Sequence, residues 1–302
     1  MIPAAPQCDP GTITNHGPEV SAVVVYFRTP HTLGPALERL FTQTVPPSEV
    51  IVVDNSAAID GAKAPPLAAD GRWRWLATAS NIGFGAAVNA GVGISGGDLL
   101  LIQNADVELE PTAIERLVSA ARADARAAVI GPRLLESDGS VQLSARRFPS
   151  AVTGLIGRSS LLTKALRHTG KTPLALSAAQ GGAGPVDWVS GACMLLRRLA
   201  FAEVGGFDEG FWMYWEDADL CRRLADQGWT AHFQPAAVAR HQTGASGQSV
   251  ATIRAFHESA LRYSAKHITS NRVALGAARL ALGVRQRVMT RRLARATEIV
   301  AR

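Results

Sequence analysis

Hydrophobic residues fall along this chain in two rhythms. VSAVVVYF at 20–27, EVIVVDN at 49–55 and DLLLIQNAD at 98–106 are nearly unbroken apolar runs, the pattern of strands buried on both faces of a parallel sheet. Between the first two, Leu33, Leu37, Leu40 and Phe41 recur at helical spacing over 31–44, and Pro46 and Pro47 close the segment. Residues 73–77 read as another strand, 81–95 as a glycine-rich turn and helix, and Pro111 opens a further helix. Strands alternating with helices predict a three-layer α/β sheet, which binds ligands beyond the carboxyl ends of its strands. Asp54 and Asp106 both fall at such ends.

The second half reads differently. VIGPRLL is strand-like and SDGS a turn, whereas 149–185 has weak periodicity and many small residues, so mobility is expected there. VDWVSGACMLLRR then reads as one strand, GGFDEGF as a turn, WEDADLCRRLADQG as an amphipathic helix ending at Gly228, and WTAHFQP as a short strand. A helix near 250–266 precedes a basic extension in which Leu275, Leu282, Met289, Leu293 and Val300 form one helical stripe, suited to a membrane, the domain or a second subunit.

Composition narrows the class. The chain has 302 residues, 47% hydrophobic and 19% charged, enough for a large core. Three separated cysteines, Cys8, Cys193 and Cys221, support neither a zinc cluster nor a disulfide framework. The N-terminal stretch lacks a charged-then-apolar signal pattern, so the expected location is the cytoplasm, with peripheral contact on the inner face of the plasma membrane left open. The net charge of +6 is localised: residues 272–302 hold eight Arg against Glu298, and residues 139–186 hold six cations and no acid. The remainder is acidic, which argues against a nucleic-acid partner and for local contacts with anions.

Four constellations carry candidate chemistry. Gly83-Phe84-Gly85 opens a helix after a strand, but it lacks the third glycine and the following strand-end acid of a dinucleotide fingerprint. Asn104-Ala105-Asp106 places a carboxylate at the mouth of the sheet; to hold a divalent ion it needs diphosphate oxygens and another protein ligand. Glu216, Asp217 and Asp219 crowd a helix start, where one acid can face a cleft while another pairs with Arg222 or Arg223. His241 precedes a small-residue loop, QTGAS, and gains meaning only beside the others.

Taken in order, VIVVDNS, NIGFGAAVNAG, QNADV, DWVSGACMLLRR, GGFDEGFWMYWEDADLCRRL and the HxxGxS loop resemble family 2 glycosyltransferases with the GT-A fold, in the bacterial rhamnosyltransferase-like branch. The resemblance covers about residues 20–246. It implies a Rossmann-like α/β/α GT-A domain at 20–250, between a flexible N-terminus at 1–19 and a helical extension at 251–302, with 139–186 as a mobile basic segment on the acceptor side.

The implied activity is inverting transfer of a sugar, with L-rhamnose from dTDP-rhamnose preferred, to a hydroxyl of a cell-envelope glycan or a polyprenyl-diphosphate-linked acceptor. By resemblance Asp217 is the general base, Asp54 reads the nucleotide base, and Asp106 and His241 hold Mn²⁺ or Mg²⁺. A carboxylate acceptor at Asp54 suits the imide N–H of uracil or thymine, hence a UDP or dTDP donor. Tyr26, Arg28, Asn81, Gly83, Asn89 and Asn104 are expected around the donor, and Trp188, Ser190, Gly191, Trp215 and Glu216 on the acceptor side. Asn104 departs from a full DxD metal motif. The rival readings are a catalytically silent sugar-nucleotide or polysaccharide binder and a hydrolase; homo-oligomerisation stays open.

Overall fold

The computed structural model describes residues 19–56, 73–149, 182–242 and 249–300. The expected flexible N-terminus, most of the mobile basic segment (150–181) and the loop at 243–248 lie outside the described residues. The unbroken apolar runs form the centre of a sheet: β1 (Val20–Tyr26), β2 (Glu49–Asp54), β3 (Trp73–Ala77) and β4 (Leu99–Asn104) are parallel neighbours in the order β3-β2-β1-β4. Alternation along β1 divides two cores. Val20, Ala22, Val24 and Tyr26 face α1 (Pro30–Phe41) and α3 (Ala113–Ala123), through Leu33, Leu37, Leu40, Ile114 and Leu117. Val23 and Val25 face the other layer: α2 (Phe84–Gly93), α4 (Arg198–Glu203) and α5 (Glu216–Asp226), through Val88, Phe201, Leu220 and Leu224. Each large side chain buried this way contributes about 1.5–3 kcal/mol.

The parallel expectation does not hold throughout, because the full sheet is mixed. β10 (Cys193–Arg197) runs antiparallel to both β4 and β6 (Ala127–Leu135), and β11 (Thr230–His241) and β5 (Val107–Leu109) complete the order β4-β10-β6-β11-β5. The stretch expected as one strand is three pieces: β8 (Gly184–Val186) on β11, β9 (Trp188–Val189) on β7 (Ala145–Arg146), and β10. The break falls where backbone donors find partners outside a ladder. Ser190 N–H bonds Ser144 O at 2.7 Å, and Gly191 N–H bonds Asp217 Oδ2 at 3.0 Å.

Two more corrections concern length. DLLLIQNAD is not one strand: the chain turns at Ala105 and Asp106 and adds the short β5 against β11. WTAHFQP does not stop at Pro235. β11 continues to His241 through a register shift between Gln234 and Val238, where a bulge accommodates the missing N–H of Pro235.

Beyond β11 come α6 (Val250–Tyr263), a π-helical turn (Ser264–Ile268) and α7 (Arg272–Val300). Ser249 and Thr252 form a reciprocal capping box at the start of α6. Leu282 of the expected stripe is buried, and the Arg285 guanidinium lies 5.6 Å from the centre of the Phe256 ring. That face of α7 therefore packs on α6 of the domain and is not the face open to a membrane.

Candidate active site at the carboxyl edge of the sheet

Strand register gathers the predicted residues at one edge. Tyr26 stands opposite Asp54, Val25 opposite Asn104, and Ala105 N–H bonds Val25 O at 3.2 Å. Asp54 is 2% exposed and accepts Ser56 N–H at 2.9 Å, while Ser56 Oγ accepts Arg28 N–H at 3.1 Å. Arg28, Tyr214 and Trp215 are the non-glycine residues with positive φ among the described residues, at 52°, 67° and 70°. All three are at or beside predicted site positions, where stored backbone strain concentrates in enzymes.

The glycine-rich turn is built by amides. The Asn55 side-chain amide donates to Asn81 Oδ1 and Gly83 O, both at 3.1 Å, and its Oδ1 accepts Ile82 N–H at 3.0 Å. Trp212 Nε1–H closes the turn on Asn81 O at 3.2 Å. Gly83 sits at φ 91°, and a Cβ there would meet Trp212 O at 2.3 Å, so the turn requires glycine for geometry alone. Asn89 is committed elsewhere: its Nδ2 donates to Phe207 O and Glu209 Oε1, and its Oδ1 accepts Phe207 N–H. It ties α2 to the GGFDEGF turn.

The acids at the start of α5 divide their work as their helical positions predict. Asp217 is half-buried and accepts Gly191 N–H through Oδ2 and Ala218 N–H through Oδ1. Asp219 is fully buried and holds Arg223 at 2.8 Å, Lys266 at 2.8 Å and His267 at 2.7 Å, pinning the π-turn to α5. Glu216 is buried with Oε2 unpartnered; burial, then the Asp217 and Asp219 carboxylates, push its carboxyl well above the usual range. A neutral Glu216 adds no second charge beside Asp217. Burial likewise pushes the Cys193 and Cys221 thiols up to about 12, which makes them packing residues.

Of the residues expected on the acceptor side, Trp188 bonds Arg147 O through Nε1–H at 2.9 Å beneath the Arg146 guanidinium, so its indole is held by the β7–β9 ribbon. Ser190 Oγ accepts Ala192 N–H at 3.4 Å. Trp215 packs on Phe256 and Tyr263, with its buried Nε1 unpartnered. Asn104 N–H bonds Ala192 O at 3.0 Å, joining the β4 edge to the turn that holds Asp217.

The edge also holds a pair suited to a cation. His241 Nε2 is 3.4 Å from Asp106 Oδ1, a buried oxygen with no hydrogen-bond partner. Adjacent ligands of an octahedral ion with bonds of about 2.1 Å lie roughly 3 Å apart, so the pair fits two positions of one coordination shell. Among the described residues no group of three or more His, Cys, Asp or Glu forms a complete protein cage. Gln142, which the sequence reading missed, orients the histidine. Its Nε2 donates to His241 O at 2.9 Å, so its Oε1, 3.0 Å from His241 Nδ1, accepts the Nδ1 proton and leaves the Nε2 lone pair toward Asp106.

The model for glycosyl transferase family 2 matches residues 21–205, and that for glycosyl transferase family group 2 matches 169–297. The N-acetylglucosaminyl-diphospho-decaprenol L-rhamnosyltransferase of Mycobacterium tuberculosis is 37% identical over 244 residues, covering 74% of this chain and 78% of that one. Rhamnosyltransferase WbbL of Escherichia coli is 44% identical over 91 residues, 29% of this chain and 34% of that one. A crystal structure of GalNAc-T7 with UDP, GalNAc and Mn²⁺ superposes with a TM-score of 0.56 at 15% identity, over 89% of this chain and 55% of that one. That likeness bears on the fold, which is the expected GT-A arrangement. A mixed α/β sheet carrying its acids at one edge, together with these matches, establishes that the chain is a glycosyltransferase belonging to glycosyl transferase family 2.

Proposed function

We propose that this enzyme transfers L-rhamnose, with inversion, from dTDP-rhamnose to a sugar hydroxyl of a polyprenyl-diphosphate-linked acceptor in cell-envelope glycan synthesis. The observation that carries the reading is the orphaned Asp106 Oδ1 facing His241 Nε2, on the same sheet edge where Gly191 N–H orients Asp217. The names of the mycobacterial and Escherichia coli relatives support the sugar, and the mycobacterial name supports the acceptor class.

Asp217 is the general base. Its Oδ2 is aimed by Gly191 N–H, and it takes the acceptor hydroxyl proton as that oxygen bonds to the anomeric carbon and the bond to the diphosphate breaks. Asp54 keeps Oδ1 for Ser56 N–H and offers its carboxylate to the imide N–H of the base, which suits thymine or uracil. Asp106 and His241 are the residues that would hold Mn²⁺ or Mg²⁺. A divalent ion there would supply charge neutralisation on the departing diphosphate.

The test is transfer from labelled dTDP-rhamnose to an N-acetylglucosaminyl-diphospho-polyprenol. Wild type is expected to form the disaccharide lipid, and Asp217→Asn to lose about 10²–10⁴ in kcat while binding dTDP unchanged. Release of free rhamnose without acceptor, or full activity in Asp217→Asn, would overturn the assignment.

A further inference from the structure

We propose that the outward face of α7 is a docking surface for an anionic lipid bilayer. At 100° per residue, Val273, Leu280, Val284 and Val288 fall within an arc of about 80° on the side of the helix away from Leu282. They are 82%, 71%, 53% and 44% exposed, whereas Leu282, on the face toward α6, is buried. The same arc continues into Arg291 and Arg295, with Arg287 and Arg292 on its flanks, all four exposed. The helix thus presents an apolar line that ends in, and is bordered by, guanidinium groups, the pattern that seats a helix in the headgroup layer with its cations on lipid phosphates.

Charge complementarity selects the occupant. A second copy meeting this face by two-fold symmetry would set its own Arg287, Arg291 and Arg295 against these if the helices ran parallel, and against the apolar Val273 and Leu280 if they ran antiparallel. A nucleic-acid duplex offers no apolar layer for Val273 and Leu280. An anionic bilayer satisfies both halves of the pattern. No described helix is long and apolar enough to cross a membrane, so the contact is interfacial. The inward face of α7 reaches the site by two contacts: Arg285 covers Phe256, and Phe256 packs 5.8 Å from Trp215, two residues before Asp217. On the reading of a polyprenyl-linked acceptor, the base is thereby coupled to the surface that carries its substrate.

The experiment is co-sedimentation of the full chain with phosphatidylcholine vesicles and with vesicles containing about 30% phosphatidylglycerol, without donor or acceptor, so that its outcome is independent of the catalytic reading. Wild type is expected to partition onto the anionic vesicles only. Leu280→Asp with Val284→Asp, and separately Arg287→Glu with Arg291→Glu and Arg295→Glu, are each expected to lower that partition at least about tenfold; the positions are exposed, so circular dichroism and Tm stay as in wild type. Equal partition onto both vesicle types, no partition of wild type, or partition surviving both sets of substitutions would overturn the proposal. So would a dimer in light scattering that Leu280→Asp dissociates.

Discussion

His241 Nε2 lies 3.4 Å from Asp106 Oδ1 because the last residue of β11 is paired with the first residue of β5, immediately after Asp106. The Gln242 N–H bond to Asp106 O, 3.2 Å, fixes the two backbones beside each other. Both side chains are largely withdrawn from water, and an unpartnered buried carboxylate oxygen is costly unless something binds it. On the proposed function, a cation held by the two side chains would relieve that cost.

Gln142 is expected to tune this pair without touching the ion. Its amide orientation is set by the His241 carbonyl, so Gln142→Leu removes the acceptor that holds the proton on Nδ1. Outer-shell partners of this kind change metal affinity about 10–100-fold. Mn²⁺ titration followed by electron paramagnetic resonance, in the presence of dTDP, should show that weakening, with Gln142→Glu retaining more affinity than Leu. Unchanged Mn²⁺ affinity in Gln142→Leu would contradict the role.

Glu216 should leave its mark on the pH dependence of stability. Burial and the flanking Asp217 and Asp219 carboxylates raise its native value, so the native state holds a proton that the unfolded chain releases in the ordinary carboxylate range. Between those two values stability falls as pH rises. Glu216→Gln mimics the protonated acid and removes the slope. The Tm of Glu216→Gln minus that of wild type is therefore predicted to grow as pH rises above the ordinary carboxylate range. A difference that is flat above that range would mean Glu216 is not protonated in the fold.

Gly83→Ala tests the glycine turn. At φ 91° and ψ 168° the backbone is in a region essentially reserved for glycine, where an alanine costs about 1–3 kcal/mol, and its Cβ would also have to displace the Trp212 carbonyl. A loss of about 2–3 kcal/mol in denaturant unfolding is expected. Wild-type stability would mean the turn relaxes freely.

The central strands were legible because burial on both faces leaves nearly pure apolar runs: Val23 and Ile51 are wholly buried, and periodicity suffices to find them. The acids of α5 were legible for a similar reason. Helical spacing alone separates Asp217 from Asp219, and the structure gives the first to Gly191 and the second to Arg223. What escaped depends on distant pairing. The short β5 has three residues, too few for a period, and exists because β11 offers it an edge. Gln142 carries no local signal, since its partner is 99 residues away. Asn55, just past the strand end at Asp54, carries no local signal either, yet its amide organises the turn at 81–83. The outward stripe of α7 was overlooked beside the stripe through Leu282, because valines among arginines are less conspicuous than leucines at the same spacing.

The central claim is a nucleotide-diphosphate site completed by a cation on Asp106 and His241. Thermal shift with UDP, dTDP, GDP and CDP, each with and without Mn²⁺, on wild type and Asp106→Ala tests it most directly, because a ligand that binds only the native state raises Tm once it exceeds its Kd. The account predicts a rise with dTDP or UDP that requires Mn²⁺ and disappears in Asp106→Ala. No rise with any nucleoside diphosphate at about millimolar concentration, or an equal metal-dependent rise in Asp106→Ala, would contradict it.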